Sequence, residues 1–122
     1  VVMGSKTWQD PFMPTPLKNR ENILITTKDH SHYPGANKYL KGDIINEILD
    51  LEKEYLERDI FIIGGPDIIV QTFGLFKEFY LTRIYGNFEC DKFININKIA
   101  NTMSLIEKID CDDTCHFEIW RK

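Results

Sequence analysis

No run in this 122-residue chain is long and apolar enough to cross a membrane, and no secretory signal is visible. The expectation is therefore a cytoplasmic protein with no membrane partner. Cysteine is scarce: Cys90, Cys111 and Cys115 make an odd count, and nothing in it suggests a disulfide framework. Cys111, Cys115 and His116 stand close together, but their spacing provides no second ligand pair for zinc. Cys115 and His116 would also alternate faces in a strand, so no metal is expected. An excess of positive charge is missing too. A formal net charge of −4 argues against a general nucleic-acid binder. There is no repeat, no low-complexity tract and no linker of domain-separating kind. What remains is globular: 43% of residues are hydrophobic and 12% aromatic, in a length that suits one domain with a real core.

The charge is unevenly spread. Residues 1–41 hold six Lys and Arg against three Asp and Glu, whereas residues 42–122 hold nine against sixteen. A basic first third is where an anionic cofactor and substrate could be held; scattered surface lysines would read the same way. Lys28 to Gly42 is the loosest region, with Pro34-Gly35 a turn signal and Asn37 to Leu40 a candidate short strand. Asp43 to Glu57 predicts a helix, because Ile44, Ile48, Leu51 and Tyr55 share helical spacing and Ile45, Leu49 and Leu56 widen the stripe. Its six carboxylates form a solvated face. Asn22–Thr26, Phe79–Tyr85 and His116–Trp120 read as strands, with Met103–Ile109 a weaker one.

Asp59 to Thr82, DIFIIGGPDIIVQTFGLFKEFYLT, is the most informative stretch. Ile60 to Ile63 is an apolar run too short for a helix and rich in β-branched residues, which predicts a central strand. Gly64-Gly65 lets the backbone turn sharply and admits a group where a Cβ would stand. Pro66 suits the first position of a helix. A strand that empties through glycines into a helix is a phosphate-binding geometry; a tight turn alone would show the same residues. Strand and helix alternate first and strands alone come last, which indicates an α/β chain with an antiparallel finish.

VVMGSKTW (Val1 to Trp8), PLKNRENILIT (Pro16 to Thr26), IIGGPDII (Ile62 to Ile69) and YLTRI (Tyr80 to Ile84) together resemble dihydrofolate reductase, in that order and at compatible spacing. ECD (Glu89 to Asp91) and HFEIWRK (His116 to Lys122) are similar to the same family's late strands. The resemblance covers essentially the whole chain and implies a mixed, mostly parallel central sheet flanked by helices, here as one domain, 1–122. It also implies an incomplete N-terminus. Members of the family begin with a strand, a mobile loop and an acid-bearing helix before the block that matches VVMGSKTW, roughly forty residues by typical element lengths. No acid in this chain matches the catalytic one. Loss of a central strand would leave unpaired backbone at an inner edge, so assembly with such a segment is expected, and otherwise a monomer.

The implied reaction is hydride transfer from the nicotinamide of NADPH to 7,8-dihydrofolate, giving tetrahydrofolate for one-carbon metabolism. The resemblance assigns Gly4, Lys6 and Thr7 to the cofactor phosphates. It assigns Thr26, Thr27 and Lys28 to the strand end near the 2′-phosphate, where Lys28 would compensate for Ser5 at a position that is commonly basic. Gly64 and Gly65 match a glycine pair joined by a cis peptide that meets both cofactor and pterin, and Ile63 would give a backbone carbonyl there. Arg20 aligns with the arginine that grips the glutamate α-carboxylate of folate, a bidentate match. Phe12 and Leu17 would line the aminobenzoyl pocket, with core packing as their plainer role. Thr82 would hydrogen-bond into the pterin end as a supporting catalytic residue, and Asp91 would brace the mobile loop. Asp67 and Ile69 depart from the family pattern: the acid competes with a phosphate, and a tyrosine is frequent at the second position. Two alternatives stand beside folate reduction: a pyrimidine reductase of riboflavin synthesis, and a non-catalytic remnant kept as a binding or structural subunit.

Overall fold

Four short apolar segments, Val2–Gly4 (β1), Ile23–Ile25 (β2), Lys38–Leu40 (β3) and Ile62–Gly64 (β4), pair as a parallel sheet in the order β3-β2-β1-β4. The register sets Met3 beside Leu24 and Leu24 beside Tyr39, and alternation puts Val2, Ile23, Ile25 and Leu40 on the opposite face. Both sets are largely buried, as a parallel sheet requires. On one face Met3, Trp8, Leu24 and Tyr33 form a core cluster, with Val1, Leu17, Ala36 and Tyr39 packed against it. In this computed structural model residues 1–90 and 92–122 are described, and they divide into two compact units, Val1–Phe73 and Gly74–Lys122. Asp91, expected to brace a loop, lies outside the described residues.

Three α-helices belong to the first unit: Ser5–Trp8 (α1), Ile44–Glu54 (α2) and Pro66–Thr72 (α3). α2 begins where its capping chemistry says it should. The Asp43 carboxylate accepts the N–H of Asn46 at 3.4 Å, and Glu47 reaches back to the N–H of Gly42 at 3.1 Å. Its inward stripe is narrower than expected: Ile48 and Leu51 are buried, while Ile45, Leu49 and Leu56 are exposed, and Leu56 lies beyond the helix end. The strand predicted at Ile60–Ile63 is also corrected. β4 starts at Ile62, and among the described residues it pairs with β1 alone, so it is an edge strand with Phe61 and Ile63 exposed.

The second unit is an antiparallel sheet of Glu78–Ile84 (β5), Ser104–Asp110 (β6) and Cys115–Arg121 (β7), in the order β5-β7-β6. The helix Ile96–Thr102 (α4) was not expected among the late strands. Asn95 starts it by accepting the N–H of Lys98, and Ile99 is its buried residue. β7 carries a buried polar pair. His116 Nε2 lies 2.6 Å from Glu118 Oε2, and His116 Nδ1 lies 2.7 Å from the Tyr85 hydroxyl. Glu118 also accepts from Trp120 Nε1 at 2.9 Å and from Arg83 Nε at 3.1 Å. Burial pushes the Glu118 carboxyl up, but the hydrogen bonds from His116 and Trp120 and the Arg83 charge outweigh it and hold the group below its usual value. The fold class is α/β, with a parallel sheet flanked by helices and an antiparallel finish. Among the described residues no helix is long and apolar enough to cross a membrane.

Candidate cofactor and substrate site

The carboxyl ends of β1 and β4 lie side by side, and in open α/β sheets ligands bind outside such ends. Three glycines meet there. A Cβ on Gly4 would stand 3.1 Å from Ile68 Cγ1, so this glycine lets α3 pack close to β1. Gly64 has φ +134°, a backbone conformation that side chains rarely adopt. A Cβ on Gly64 would come 3.4 Å from Thr7 Oγ1, and one on Gly65 would come 3.6 Å from the same oxygen. The Thr7 hydroxyl thus faces the glycine pair, and the Gly64–Gly65 peptide is cis, as the resemblance implied. α1 has four residues and α3 seven, so what stands here is backbone without side chains, buried at Gly4 and Gly64 and half-buried at Gly65, and a half-buried hydroxyl rather than the dipole of a long helix.

The β1–β4 register skips one residue: Val2 pairs with Ile62 and Met3 with Gly64. Ile63 is therefore the bulged residue, and bulges commonly re-aim the chain beside functional sites. Lys6 is exposed on α1. At the end of β2, Thr26 is buried and its hydroxyl accepts the N–H of Lys28 at 3.1 Å, which leaves Thr27 and Lys28 exposed. Thr26 shapes this strand end. Asp67 sits in the first turn of α3, two residues past the glycine pair.

Arg20 stands at the other end of the strands. It lines a cavity of about 210 Å³ with Val2, Ile23, Arg58, Ile60 and Phe61, at the amino ends of β1, β2 and β4. The loop that presents it turns at Asn19, whose φ is +62°, a value asparagine tolerates. Sequence reasoning missed the residue that holds this loop. Asn22 is 1% exposed; its Nδ2 donates to the carbonyls of Leu17 (2.9 Å) and Arg20 (3.0 Å), and its Oδ1 accepts the N–H of Leu17 (2.8 Å). The signal available was an asparagine at the junction of a polar loop and a buried strand. Asn22→Ala is expected to cost about 1–3 kcal/mol of stability, because buried backbone partners lose their bonds. Urea unfolding of the parent and the variant measures it, and equal midpoints would show that the loop holds without this side chain.

Other expected residues are not gathered with these. Phe12 is 94% exposed, so it lines no pocket here, whereas Leu17 packs on the core cluster. Thr82 belongs to the second unit, exposed on β5 in register with Phe117. The cysteine expectation is corrected: Cys111 and Cys115 are joined by a disulfide across the β6–β7 turn. Met103–Ile109 was a weak strand in the sequence, so the hairpin that brings these cysteines together was not visible.

The family model described as Dihydrofolate reductase matches residues 1–119. Among curated proteins, the dihydrofolate reductase of Saccharomyces cerevisiae is 34% identical over 91 residues, covering 69% of this chain and 43% of that protein. That of Bacillus subtilis is 28% identical over 92 residues, covering 75% of this chain and 51% of that protein. The segregation and condensation protein A of Mycoplasmoides gallisepticum is 26% identical over 123 residues, covering 100% of this chain and 19% of that protein. The chain spans about half the length of the curated reductases it matches.

Proposed function

The chain belongs to the dihydrofolate reductase family, and from that premise we propose that it serves NADPH-dependent reduction of 7,8-dihydrofolate to tetrahydrofolate, with the catalytic acid supplied by residues outside these 122. The observation that carries this is the meeting of three glycines at the carboxyl ends of β1 and β4, where the Thr7 hydroxyl faces Gly64 and Gly65. A dinucleotide fits such a place, since its approach needs backbone without side chains and donors for phosphate oxygens. NADPH, when bound, supplies the hydride. Thr7 and the backbone of Gly64-Gly65 hold and orient the cofactor, Lys6 and Lys28 oppose its negative charge, and the Ile63 bulge turns the chain toward the pterin. Arg20, held by Asn22, takes the substrate carboxylate in a bidentate grip.

Arg20→Leu in the full-length protein separates this reading from a structural one. Dihydrofolate binding is expected to weaken by about 1.5–3 kcal/mol, the range for a hydrogen bond to a charged group, with NADPH binding nearly unchanged. Two titrations, one per ligand, decide it. Equal weakening of both would make Arg20 structural.

A second reading is favoured by Ser5, Asp67 and Ile69, which depart from the family pattern at cofactor positions, and by the match to part of a segregation and condensation protein A. It is a reductase-like module without catalysis, kept as a binding or structural part of a larger assembly. Inactivity of the full-length protein together with failure to bind NADPH would favour it.

A further inference from the structure

The β6–β7 hairpin carries chemistry that folate reduction does not use. Cys111 and Cys115 flank its turn, four positions apart, with Cα atoms 5.8 Å from each other. That separation lies within the range a disulfide spans without backbone movement. The turn between them is organised by Asp112, whose carboxylate accepts both the N–H and the hydroxyl of Thr114. The N–H of Cys111 points to the carbonyl of Cys115 at 3.4 Å. Cys111 is exposed and Cys115 half-buried, so a small reagent can reach the pair. Cys90 is free and exposed.

We propose that Cys111 and Cys115 are a reversible dithiol–disulfide couple that fastens the turn end of this hairpin. The oxidant is a low-molecular-weight disulfide. One cysteine, as thiolate, attacks a sulfur of the reagent; the reagent's S–S bond breaks, a mixed disulfide forms and one small thiolate leaves. The second cysteine, having lost its proton, attacks the mixed disulfide, closes the Cys111–Cys115 bond and expels the second small thiolate. The protein gives up two electrons and two protons, and the reagent takes both up as two thiols.

The fastening has a consequence along β7. The Thr114 carbonyl accepts the N–H of Tyr85 at 2.8 Å, and Tyr85 in turn caps the buried His116–Glu118 pair through its hydroxyl. The closed couple thus braces the strand end that holds Tyr85. Metal binding by the reduced cysteines is the competing use, since Cys111, Asp112 and Cys115 present ligand atoms within 4.8 Å of one another. Thr114 already occupies the Asp112 carboxylate, and both nitrogens of His116 are engaged by Tyr85 and Glu118. A four-coordinate zinc site would lack its fourth protein donor among the described residues.

The test uses the Cys90→Ser chain in glutathione buffers of graded oxidation, quenched by alkylation and counted by mass. Native protein is expected to close the intramolecular disulfide at an oxidised-to-reduced ratio about tenfold lower than the same chain in guanidinium, because the hairpin holds the sulfurs together. Amide exchange at Tyr85 should be slower in the oxidised form, with Cys111→Ser matching the reduced form. Equal ratios with and without denaturant overturn the proposal, and so do persistent mixed adducts. Stoichiometric zinc uptake that shields both reduced thiols from alkylation would overturn it in favour of the metal.

Discussion

Gly65→Val in the full-length protein is expected to abolish NADPH binding with only a small loss of stability. The position itself has room for a Cβ. Its φ is −81°, an ordinary value, and the nearest heavy atom to an added Cβ is Thr7 Oγ1 at 3.6 Å, a normal contact. Changing the cap of α3 costs about 1 kcal/mol. A branched side chain would fill the approach that a dinucleotide needs, so the loss belongs to the ligand. Gly64 provides the contrast. With φ at +134°, Gly64→Ala is penalised by the backbone first, by about 1–3 kcal/mol, whether or not a ligand is present. A fluorescence titration of NADPH beside a thermal melt distinguishes the two. Parent-like affinity in Gly65→Val would remove the cofactor from this strand end.

Residues 1–122 by themselves are expected to leave NADPH unoxidised when dihydrofolate is added. Reduction needs a proton at the ring nitrogen beside the carbon that receives the hydride, and a positioned acid must deliver it. Asp67 is the carboxylate closest in sequence to the glycine pair, and it lies at the cofactor end, in the first turn of α3. The α2 acids cap their own helix, pair with Lys38 or face solvent. The acid is therefore proposed to come from a segment outside these residues, which would also shield the nicotinamide from water. Absorbance at the NADPH band, followed with the chain alone and with that segment supplied as a fusion or a complementing peptide, tests this. Full turnover by the chain alone would mean that the acid is already within it.

Much of the α/β plan was legible because strands and helices were written in residue periodicity and punctuated by Gly64-Gly65, Pro66 and Asp43. Gly64-Gly65 was legible as a sharp turn after a strand, and only the family resemblance set it apart from an ordinary tight turn. What the periodicity concealed depends on the third dimension. α4 is seven residues, and the alternation of Ile94 and Ile96 with Asn95 and Asn97 that leads into it looks like a strand. Phe12 looked like a pocket residue by its apolarity, but nothing in a local pattern says whether a loop folds inward. The clamp made by Asn22 joins residues up to five positions away and Asn37 beyond them, and its value appears only once the loop is closed. The β4 bulge is equally silent, since skipping Ile63 changes pairing without changing composition.

The contact between Tyr85 and His116 has one more property. A tyrosine hydroxyl both donates and accepts, so it can partner an imidazole nitrogen in either role. On the other side the Glu118 carboxylate, an acceptor only, faces His116 Nε2. The Tyr85 hydroxyl, the His116 imidazole and the Glu118 carboxylate therefore form one continuous hydrogen-bonded line that runs from just past the end of β5 into β7. The antiparallel sheet is thus tied at this corner by side chains as well as by its backbone ladder.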